Sequence, residues 1–574
     1  MQKYLCHNLL KLIFLVILYF GASELKAQKD TVSLNYGFSQ QLQDKKNYLQ
    51  LLENYDVKFY FLDIQASNSS DAIVGKTEIL ATSVIDSLSE FVFELHSEIS
   101  IDSILIFDRI QNYVRSDYWV DVKLDSFLTA NKKFTVKIYY NRSGNLNIYG
   151  VYHYKSLSEN LESTATISQP FYARNWFPCK QNLKDKADSV WVFITVPKNL
   201  KAGSNGKLTA VTPIGTNKLR YEWKSNYPIA YYLISFSVAD YVSYDIYAKP
   251  KAMKGDSILI QNFLPVNYEK NNEFISSFNY SAKMLELFSD KYSLYPFWKE
   301  KYGHCVAHGF EFGALEHQTM TTTSSPELFV IAHELGHQWF GNYVTCASWQ
   351  DIWINEGFAS YSEHIAFQYI FGKDSAANWL ETTRYWALLA TSGSVYVPLD
   401  EIANYDRVFD WSLTYRKGMC LVHMIRNEIN NDDQFFRLLR GFLALKANGV
   451  ATGDDFKNYL NQNSKVNFNS FFDEWYYGEG YPIYKIIWKY EGKKMRFIIK
   501  QNTTSKIIPY FTNTLPIKIT TDKTEKTVRI KPKQLIDTIY IKIKKNQKIK
   551  SIELDPDNWI LYGEESTIKK ETDN

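Results

Sequence analysis

The spacing of hydrophobic residues divides the chain into three blocks. Up to about residue 247, apolar residues recur at every second position, as in EFVFEL and KFTVKIYY, which is typical of half-buried β-strands. From there to about residue 481 the spacing is three and four residues, which indicates helices. Alternation then returns, in MRFIIK and TIYIKIKK. We therefore predict a multidomain α+β protein with a large antiparallel β domain at 28–247, a mainly helical domain at 248–481 and a small strand-rich domain at 482–574.

The first residues have a different pattern. Basic residues precede an apolar run, LIFLVILYFGA at 12–22, that is too short to span a bilayer comfortably. Ala27 is a small residue of the kind that signal cleavage requires, so we expect cleavage before Gln28. These features predict a signal peptide at 1–27 and an exported protein, periplasmic or secreted, with no membrane span after cleavage. An uncleaved membrane anchor is the alternative.

Composition and charge exclude some classes of protein. Lys and Arg number 65 against 62 Asp and Glu, a net charge of +3, which argues against a nucleic-acid-binding protein. The hydrophobic fraction of 45% is that of a globular chain. Four cysteines remain after the predicted signal peptide, which is too few for a disulfide framework in so long a chain. Whether any two of them pair stays open: Cys179, Cys305, Cys346 and Cys420.

The segment SSPELFVIAHELGH carries the strongest chemical signal. Ser324 followed three residues later by Glu327 is a capping-box pattern, so we expect a helix to begin there and to run past His337. Residues four apart share one helix face, so His333 and His337 can direct imidazole nitrogens at a common atom, with Glu334 beside them. A catalytic zinc needs three protein ligands and an open position for water. Two histidines alone leave that set incomplete.

Glu356 is the leading candidate for the third ligand. It opens a second predicted helix, and 18 residues separate it from His337, enough for the chain to fold back on the first helix. Asp351 is predicted either to accept a hydrogen bond from a ligating histidine or to form a salt bridge near the start of that helix. His304 and His308 are also four apart, but no acid lies between them, so we expect no second metal site there.

The stretch HELGHQWFGN…WQDIWINEGFASY closely resembles the aminopeptidase N family of gluzincin metallopeptidases, which also contains the leukotriene epoxide hydrolases. The resemblance implies an aminopeptidase that carries one Zn²⁺ per chain and removes N-terminal residues from peptides. It implies His333, His337 and Glu356 as zinc ligands and Glu334 as the base. It also implies an N-terminal β-saddle domain, a thermolysin-like catalytic domain and a small C-terminal β-sandwich, while the large C-terminal helical domain found in many members is expected to be absent.

GALEH at 313–317 resembles the exopeptidase motif of this family. The resemblance implies that Gly313, Ala314 and Glu316 bind substrate, with the Glu316 carboxylate pairing with the free α-amino group. Leucine and histidine stand where the family usually has methionine and asparagine, at positions 315 and 317. These departures leave the fine geometry of the motif open.

Two further segments resemble motifs of the same family. LTYRKGMCLVHMI resembles the segment whose tyrosine stabilises the tetrahedral intermediate, which implies that role for Tyr415. SQPFYARNWFPC resembles the region from which an acid or amide reaches the amino-group site, which implies that Gln169 binds substrate there. Glutamine in place of glutamate predicts weaker binding of the ammonium group.

Two other functions stay open at this stage. An epoxide hydrolase is suggested by Gln169, whereas GALEH and the missing helical domain weigh against it. A catalytically inactive peptide-binding scaffold predicts the loss of at least one of Glu334, Glu316 or Tyr415, and all three are present. We therefore expect peptides with a free N-terminus as substrates, and no nucleic acid as a partner.

Overall fold

The computed structural model describes residues 47–156, 161–266, 268–491, 493–543 and 547–571. The predicted signal peptide lies outside these residues. From Leu52 onwards the chain forms one compact unit. Within it, strands are followed by helices and then by strands again.

The N-terminal block is built from strands, and several of the long ones alternate between buried and more exposed residues. Its fifteen strands are β1 (Tyr55–Ser67), β2 (Ser70–Ser83), β3 (Leu88–Glu94), β4 (Ser100–Ile106), β5 (Arg109–Ile110), β6 (Val114–Ser116), β7 (Trp119–Leu128), β8 (Lys133–Arg142), β9 (Val151–Ser156), β10 (Leu161–Thr166), β11 (Ser189–Pro197), β12 (Lys201–Ser204), β13 (Lys207–Ile214), β14 (Lys218–Ser225) and β15 (Phe236–Ala239). In β1, Tyr60, Leu62 and Ile64 are buried on one face, as the period of two requires.

These strands form three sheets. The largest has the order β13-β14-β11-β1-β2-β8-β4-β5 and is antiparallel except between β1 and β11. The others have the orders β3-β7-β6 and β12-β15-β10-β9. The prediction of a large antiparallel β domain is therefore confirmed, apart from the one parallel pair of β1 with β11.

The central block combines one mixed sheet with helices. The sheet has the order β16-β17-β18-β20-β19, and β17, β18 and β20 run parallel. Its strands, with two short ones nearby, are β16 (Tyr241–Ala248), β17 (Ile258–Pro265), β18 (Tyr302–Val306), β19 (Ala314–Leu315), β20 (Thr321–Thr323), β21 (Thr345–Cys346) and β22 (Val450–Ala451). The predicted domain boundary at residue 247 falls inside β16. The edge strand β19 belongs to the GALEH segment, so that segment lies at one side of the sheet.

The helices of this block carry the predicted metal ligands. They are α1 (Asn272–Lys291), α2 (Leu328–His337), α3 (Trp353–Ala366), α4 (Lys373–Leu388), α5 (Tyr405–Val408), α6 (Gly418–Ile429), α7 (Asp432–Leu445), α8 (Gly453–Asn463) and α9 (Asn469–Trp475), with π-helical segments at Phe367–Phe371 and Trp411–Lys417. Two glycines permit close packing around α3. A Cβ on Gly336 of α2 would lie 2.7 Å from the Ser362 side chain, and one on Gly357 would lie 3.1 Å from the backbone of Gly418.

The predicted ends of α2 were wrong. The helix begins at Leu328, and no side chain caps it. Ser324 instead donates its backbone N–H and its Oγ hydroxyl to the carbonyl of Gly313, at 2.8 and 3.1 Å, so it continues the contact with the β19 strand rather than starting the helix. At the other end the helix stops at His337 and does not run past it, because the next two amide groups bond three residues back and tighten the turn.

The C-terminal block consists of two small sheets, with the orders β27-β24-β23-β29 and β26-β25-β28. Buried side chains from the two sheets, such as Phe497 and Ile517, form its core. The described residues after Pro482 contain no α-helix, so a large helical domain is not seen. The strands are β23 (Pro482–Glu491), β24 (Lys494–Thr503), β25 (Leu515–Thr521), β26 (Glu525–Ile530), β27 (Ile536–Lys542), β28 (Ile549–Leu554) and β29 (Thr567–Lys570).

Two further observations concern export and redox state. In the described part of the chain, no helix combines the length and the apolar character needed to span a membrane. The four cysteines at 179, 305, 346 and 420 are all buried and none forms a disulfide.

Candidate metal centre

Three side chains converge where α2 packs against α3. The Nε2 atoms of His333 and His337 lie 3.0 Å apart, and Oε2 of Glu356 lies 3.3 Å from each of them. The two histidines share one face of α2 because they are four residues apart. Glu356 reaches them from the first turn of α3. The structure thus brings together the three residues that the sequence analysis named as metal ligands.

The second nitrogen of each imidazole is held by an acceptor. Nδ1 of His333 donates to Oε1 of Glu363 at 2.8 Å, and Nδ1 of His337 donates to the backbone carbonyl of Phe340 at 3.1 Å. With the proton on Nδ1, Nε2 of each ring keeps its lone pair for a metal. Sequence analysis did not identify Glu363 in this role. Its signal was its position seven residues after Glu356, which places it two turns along the same face of α3.

This arrangement fits a divalent cation. Two imidazole lone pairs and a carboxylate oxygen lie within 3.3 Å of one another, and such electron-rich atoms repel unless a proton or a cation lies among them. Two nitrogen donors with one oxygen donor are a set that zinc prefers. The side chains of His337 and Glu356 are 1% and 3% exposed. The site is therefore shielded and able to hold an ion.

The charges of the three groups depend on each other. Burial alone lowers the pKa of His333, but hydrogen bonds to Glu356 and Glu363 outweigh it and raise that pKa to about 10. Burial alone raises the pKa of Glu356, but His337 and His333 outweigh it and lower that pKa to about 2. A divalent cation held by these residues would replace the imidazole protons, because added positive charge favours neutral imidazole and ionised carboxylate.

Glu334 lies beside the converging atoms. It is buried, and its Oε2 has no hydrogen-bond partner in the described part of the chain. Burial raises its pKa to about 8, with Glu316 and Glu356 adding to the rise and the two histidines opposing it. One oxygen of Glu334, one of Glu316 and a nitrogen of His337 all lie within 4.8 Å of one another. A buried, unpaired carboxylate oxygen here is placed to accept a proton.

Glu316 and Gln169 meet although 147 positions separate them. Nε2 of Gln169 donates to Oε1 of Glu316 at 2.8 Å. The backbone carbonyl of Glu316 accepts from Nδ2 of Asn342 at 2.7 Å, which fixes the segment against the turn after α2. Burial is the main cause that raises the pKa of Glu316, and Glu356 adds to it. The N-terminal β domain thus contributes one side chain to the site.

Gly313 and Ala314 lie beside Glu316 at the edge of the mixed sheet. Gly313 has a φ of +74°, which a side chain would strain. Ala314 is half-buried and pairs with Thr323 on one side only, because β19 is an edge strand. The backbone N–H groups of Gly313 and Ala314 already donate, at 3.1 and 2.9 Å, to backbone carbonyls three and two positions earlier in the chain.

Tyr415 lies over His333. Their ring centroids are 5.8 Å apart with an interplanar angle of 23°. The tyrosine belongs to the π-helical segment Trp411–Lys417, which leads into α6. Burial is the main cause that raises the pKa of Tyr415, and the carboxylate of Glu356 adds to it. The phenol therefore stays protonated and able to donate a hydrogen bond.

Asp351 has neither of the two predicted roles. Its Oδ1 accepts from the backbone N–H of Gly453 and from the hydroxyl of Tyr476, both at 2.7 Å, so it joins the approach to α3 to the start of α8. The acceptor at Nδ1 of His333 is Glu363 instead. His304 and His308 point to different partners: Nδ1 of His304 lies 2.7 Å from Oδ1 of Asn262.

Two family models match the chain over about two thirds of its length. The one described as the Peptidase M1 N-terminal domain matches residues 53–233, and the one described as the Peptidase family M1 domain matches residues 276–475. The second match contains the three converging side chains as well as Glu334, Glu316 and Tyr415. The first contains Gln169.

Curated aminopeptidases are also similar to the chain. Aminopeptidase N of Lactococcus lactis subsp. lactis is 26% identical over 474 residues, which covers 75% of this chain and 51% of that protein. Aminopeptidase M1-B of Oryza sativa subsp. japonica is 27% identical over 58% of this chain and 38% of its own length, and Aminopeptidase N of Bos taurus is 26% identical over 57% and 36%. The chain spans about half or less of the length of these relatives. The two family models match in sequence order, and side chains from both matched regions meet at one centre. The chain therefore belongs to peptidase family M1, the aminopeptidase N family of gluzincin metallopeptidases.

Proposed function

We propose that this chain is a zinc-dependent aminopeptidase that removes N-terminal residues from peptides. The observation that carries the proposal is the convergence of Nε2 of His333, Nε2 of His337 and Oε2 of Glu356 within 3.3 Å, beside the carboxylates of Glu334 and Glu316. The names of the relatives, which are aminopeptidases, support the same activity.

One zinc ion per chain would be held by His333, His337 and Glu356. The acceptors on the two Nδ1 atoms fix the rings so that both Nε2 atoms point to the same place. When bound, the ion supplies Lewis-acid chemistry, polarising a carbonyl oxygen and making water more acidic.

Glu334 moves the proton in this proposal. Its unpaired Oε2 accepts a proton from the attacking water and then returns it to the nitrogen of the leaving amine. The position supports both transfers, because Glu334 follows His333 directly on α2 and its carboxylate is buried next to the converging atoms.

Tyr415 stabilises the charge that forms on the carbonyl oxygen. A neutral phenol donates a hydrogen bond to that oxygen without itself needing a charge. The stacking of its ring on His333 supports this role, because it places the phenol beside a proposed zinc ligand.

Glu316 and Gln169 bind the free amino group of the peptide. The carboxylate of Glu316 pairs with the ammonium, and the Gln169 amide fixes that carboxylate by donating to its Oε1. Oxygens of Glu316 and Glu334 lie within 4.8 Å of each other, so a peptide held by its amino group at Glu316 would present its first peptide bond to Glu334. Gly313 and Ala314 lie beside Glu316 at the sheet edge and would contact the substrate there. The proposed substrates are therefore peptides with a free N-terminus.

A panel of amino-acid amides with a fluorogenic leaving group tests the function. Each amide is assayed beside its acetylated form, with and without a zinc chelator. We expect cleavage of the free amides only, with loss of activity on chelation and recovery on addition of zinc. Equal cleavage of the acetylated forms would overturn the exopeptidase assignment.

Replacing Glu316 with glutamine is expected to weaken substrate binding. The variant removes the charge that pairs with the ammonium, so we expect kcat/KM for free amides to fall on the order of 10- to 100-fold, chiefly through a higher KM. The exposed Glu311 in the same loop serves as the control, and Glu311→Gln should behave like the unchanged protein. An unaltered KM in Glu316→Gln would remove Glu316 from amino-group recognition.

We also propose that the protein is exported. This proposal is supported by the apolar run at 12–22 and the small residue before Gln28. Sequencing the N-terminus of the protein recovered from outside the cytoplasm tests it, and a mature chain that begins at Gln28 is the expected result.

A further inference from the structure

A line of buried polar groups leads from the metal centre into the protein. Nδ1 of His333 lies 2.8 Å from Oε1 of Glu363, and Oε2 of the same glutamate lies 2.7 Å from Nη1 of Arg416. The side chains of Glu363 and Arg416 are 1% and 3% exposed. Each oxygen of the buried carboxylate therefore has its own donor: the imidazole on one side and the guanidinium on the other.

Arg416 is itself held in place by aromatic rings. Its guanidinium carbon lies 4.0 Å from the centroid of the Trp411 ring and 5.4 Å from that of Trp379. A planar guanidinium that stacks on rings while donating to a carboxylate has little freedom to turn. The direction of its bond to Glu363 is therefore fixed by packing.

Arg416 is also connected to Tyr415, both along the chain and through the ring of Trp411. Arg416 follows Tyr415 directly, and both belong to the π-helical segment Trp411–Lys417. The Trp411 ring lies 5.4 Å from the Tyr415 ring, and the Tyr415 ring lies 5.8 Å from that of His333. π-Helical turns are rare and are found frequently at functional sites. The bond from Arg416 to Glu363 ties this segment to α3.

We propose that Arg416 is a positioning residue that couples the metal ligand His333 to Tyr415. It holds Glu363 against Nδ1 of His333, so that Nε2 of His333 faces the metal. Through its stack on Trp411 it also fixes the segment that places Tyr415 over the same imidazole. The inference rests on the proposed function, since it assigns a role towards the zinc ion.

Two measurable consequences follow from this geometry. Without Arg416, one oxygen of Glu363 has no donor in a buried place, so the carboxylate turns and His333 loses its orientation. Partners of metal-ligating histidines typically contribute 10- to 100-fold to metal affinity or activity. The loss of the anchor also frees Tyr415, which reduces turnover even when the site is saturated with zinc.

The matched control is Arg426, a second buried arginine. It lies on α6, donates to Asp432 through Nε and to the hydroxyl of Tyr361 at 3.1 Å, and also stacks near aromatic rings. None of its hydrogen bonds in the described structure involves Glu363 or His333. Its replacement removes the ionic contact of a buried arginine with Asp432, whose side chain is 52% exposed, and leaves the contacts of Glu363 and His333 unchanged.

The experiment compares Arg416→Met, Arg416→Lys and Arg426→Met in the full chain. Zinc affinity is measured by competition with a chromophoric chelator. The values of kcat and KM are measured at saturating zinc, and thermal unfolding is measured without metal. Arg416→Met should raise the zinc Kd about 10- to 100-fold and lower kcat with little change in KM. Arg416→Lys should recover most of the zinc affinity, because an ammonium can donate to Glu363, but not kcat, because it cannot stack flat on Trp411.

Arg426→Met should lower the unfolding temperature and leave the zinc Kd unchanged. Adding Arg416→Met to a Glu363→Gln variant should change the zinc Kd little, because Arg416 acts through Glu363. The inference is overturned if Arg416→Met and Arg426→Met have the same zinc Kd and the same kcat. If Arg416→Met does not fold, a wild-type kcat in Arg416→Lys overturns it. Failure of the unchanged protein to bind zinc would instead overturn the proposed function.

Discussion

Replacing Glu334 with glutamine is expected to remove nearly all peptidase activity and to leave the metal in place. The amide has the shape of the carboxylate but cannot take a proton from water and return it to the leaving amine. We expect kcat for free amino-acid amides to fall on the order of 10³- to 10⁴-fold, with little change in KM. Because His333, His337 and Glu356 are untouched, elemental analysis should still find one zinc per chain.

The exposed Glu381 on α4 provides the matched control for this variant. Glu381→Gln makes the same chemical change on the surface of the same domain and should leave kcat unchanged. Activity that survives in Glu334→Gln would show that another group moves the proton. Loss of zinc together with activity would show that Glu334 holds the centre together, so zinc content must be measured on the same sample.

The sequence pattern predicts the strands better than the ends of the helices. The alternation in β1 depends only on which face is buried, and the same alternation of burial is seen in the structure. The start of α2 depends on whether Ser324 caps the helix or bonds to another segment. Ser324 has the residue type of a helix cap, but the carbonyl of Gly313, eleven positions earlier, takes both of its donors. No local rule contains that contact, so the capping prediction failed.

Helical periodicity also hides how deeply α3 is buried. All fourteen of its residues are buried, including Glu356, Ser360 and Glu363. A single-sequence pattern assigns such polar residues to the solvent side. They are buried here because each carboxylate has a partner from another element. Only the tertiary structure determines which residues those partners are. The same reasoning explains why Asp351 was assigned the wrong partners.

The candidate site divides in the same way into local and tertiary parts. His333 and His337 could be placed on one face from their spacing alone, and Glu356 from the start of the next helix. Gln169 could not be placed beside Glu316 by any spacing, because the two lie in different domains, and only the resemblance to the family named it. Glu363 could have been found from its position, because it lies two turns after Glu356 on the same helix face. It contacts the other nitrogen of the same histidine.

Two acidic residues on one face of α3 therefore contact different nitrogens of the same imidazole. Glu356 lies at Nε2 of His333 and Glu363 at Nδ1. The face of the ring itself is covered by Tyr415. His333 is thus fixed from three directions, whereas Tyr415 depends on a π-helical segment for its place. Removal of the Tyr415 hydroxyl is therefore expected to leave the three proposed zinc ligands in place.

Replacing Tyr415 with phenylalanine is the second change with a large expected effect. The phenyl ring keeps the stacking on His333, so zinc content and folding should not change. The hydrogen bond to the charged oxygen is lost, which we expect to lower kcat on the order of 10²- to 10³-fold with a nearly constant KM. The measurement is a comparison of kcat and KM for free amides at saturating zinc, with zinc content determined in parallel.

Tyr484 is the matched control for the loss of a buried hydroxyl. It lies in the C-terminal sheet, where its hydroxyl donates to Asn513 at 3.4 Å, and Tyr484→Phe should leave kcat unchanged. Tyr415→Phe with wild-type kcat would mean that the oxyanion is stabilised without this hydroxyl. A fall in kcat/KM that came entirely from a higher KM would also contradict the assignment, because a group that acts only in the transition state changes turnover and not ground-state binding.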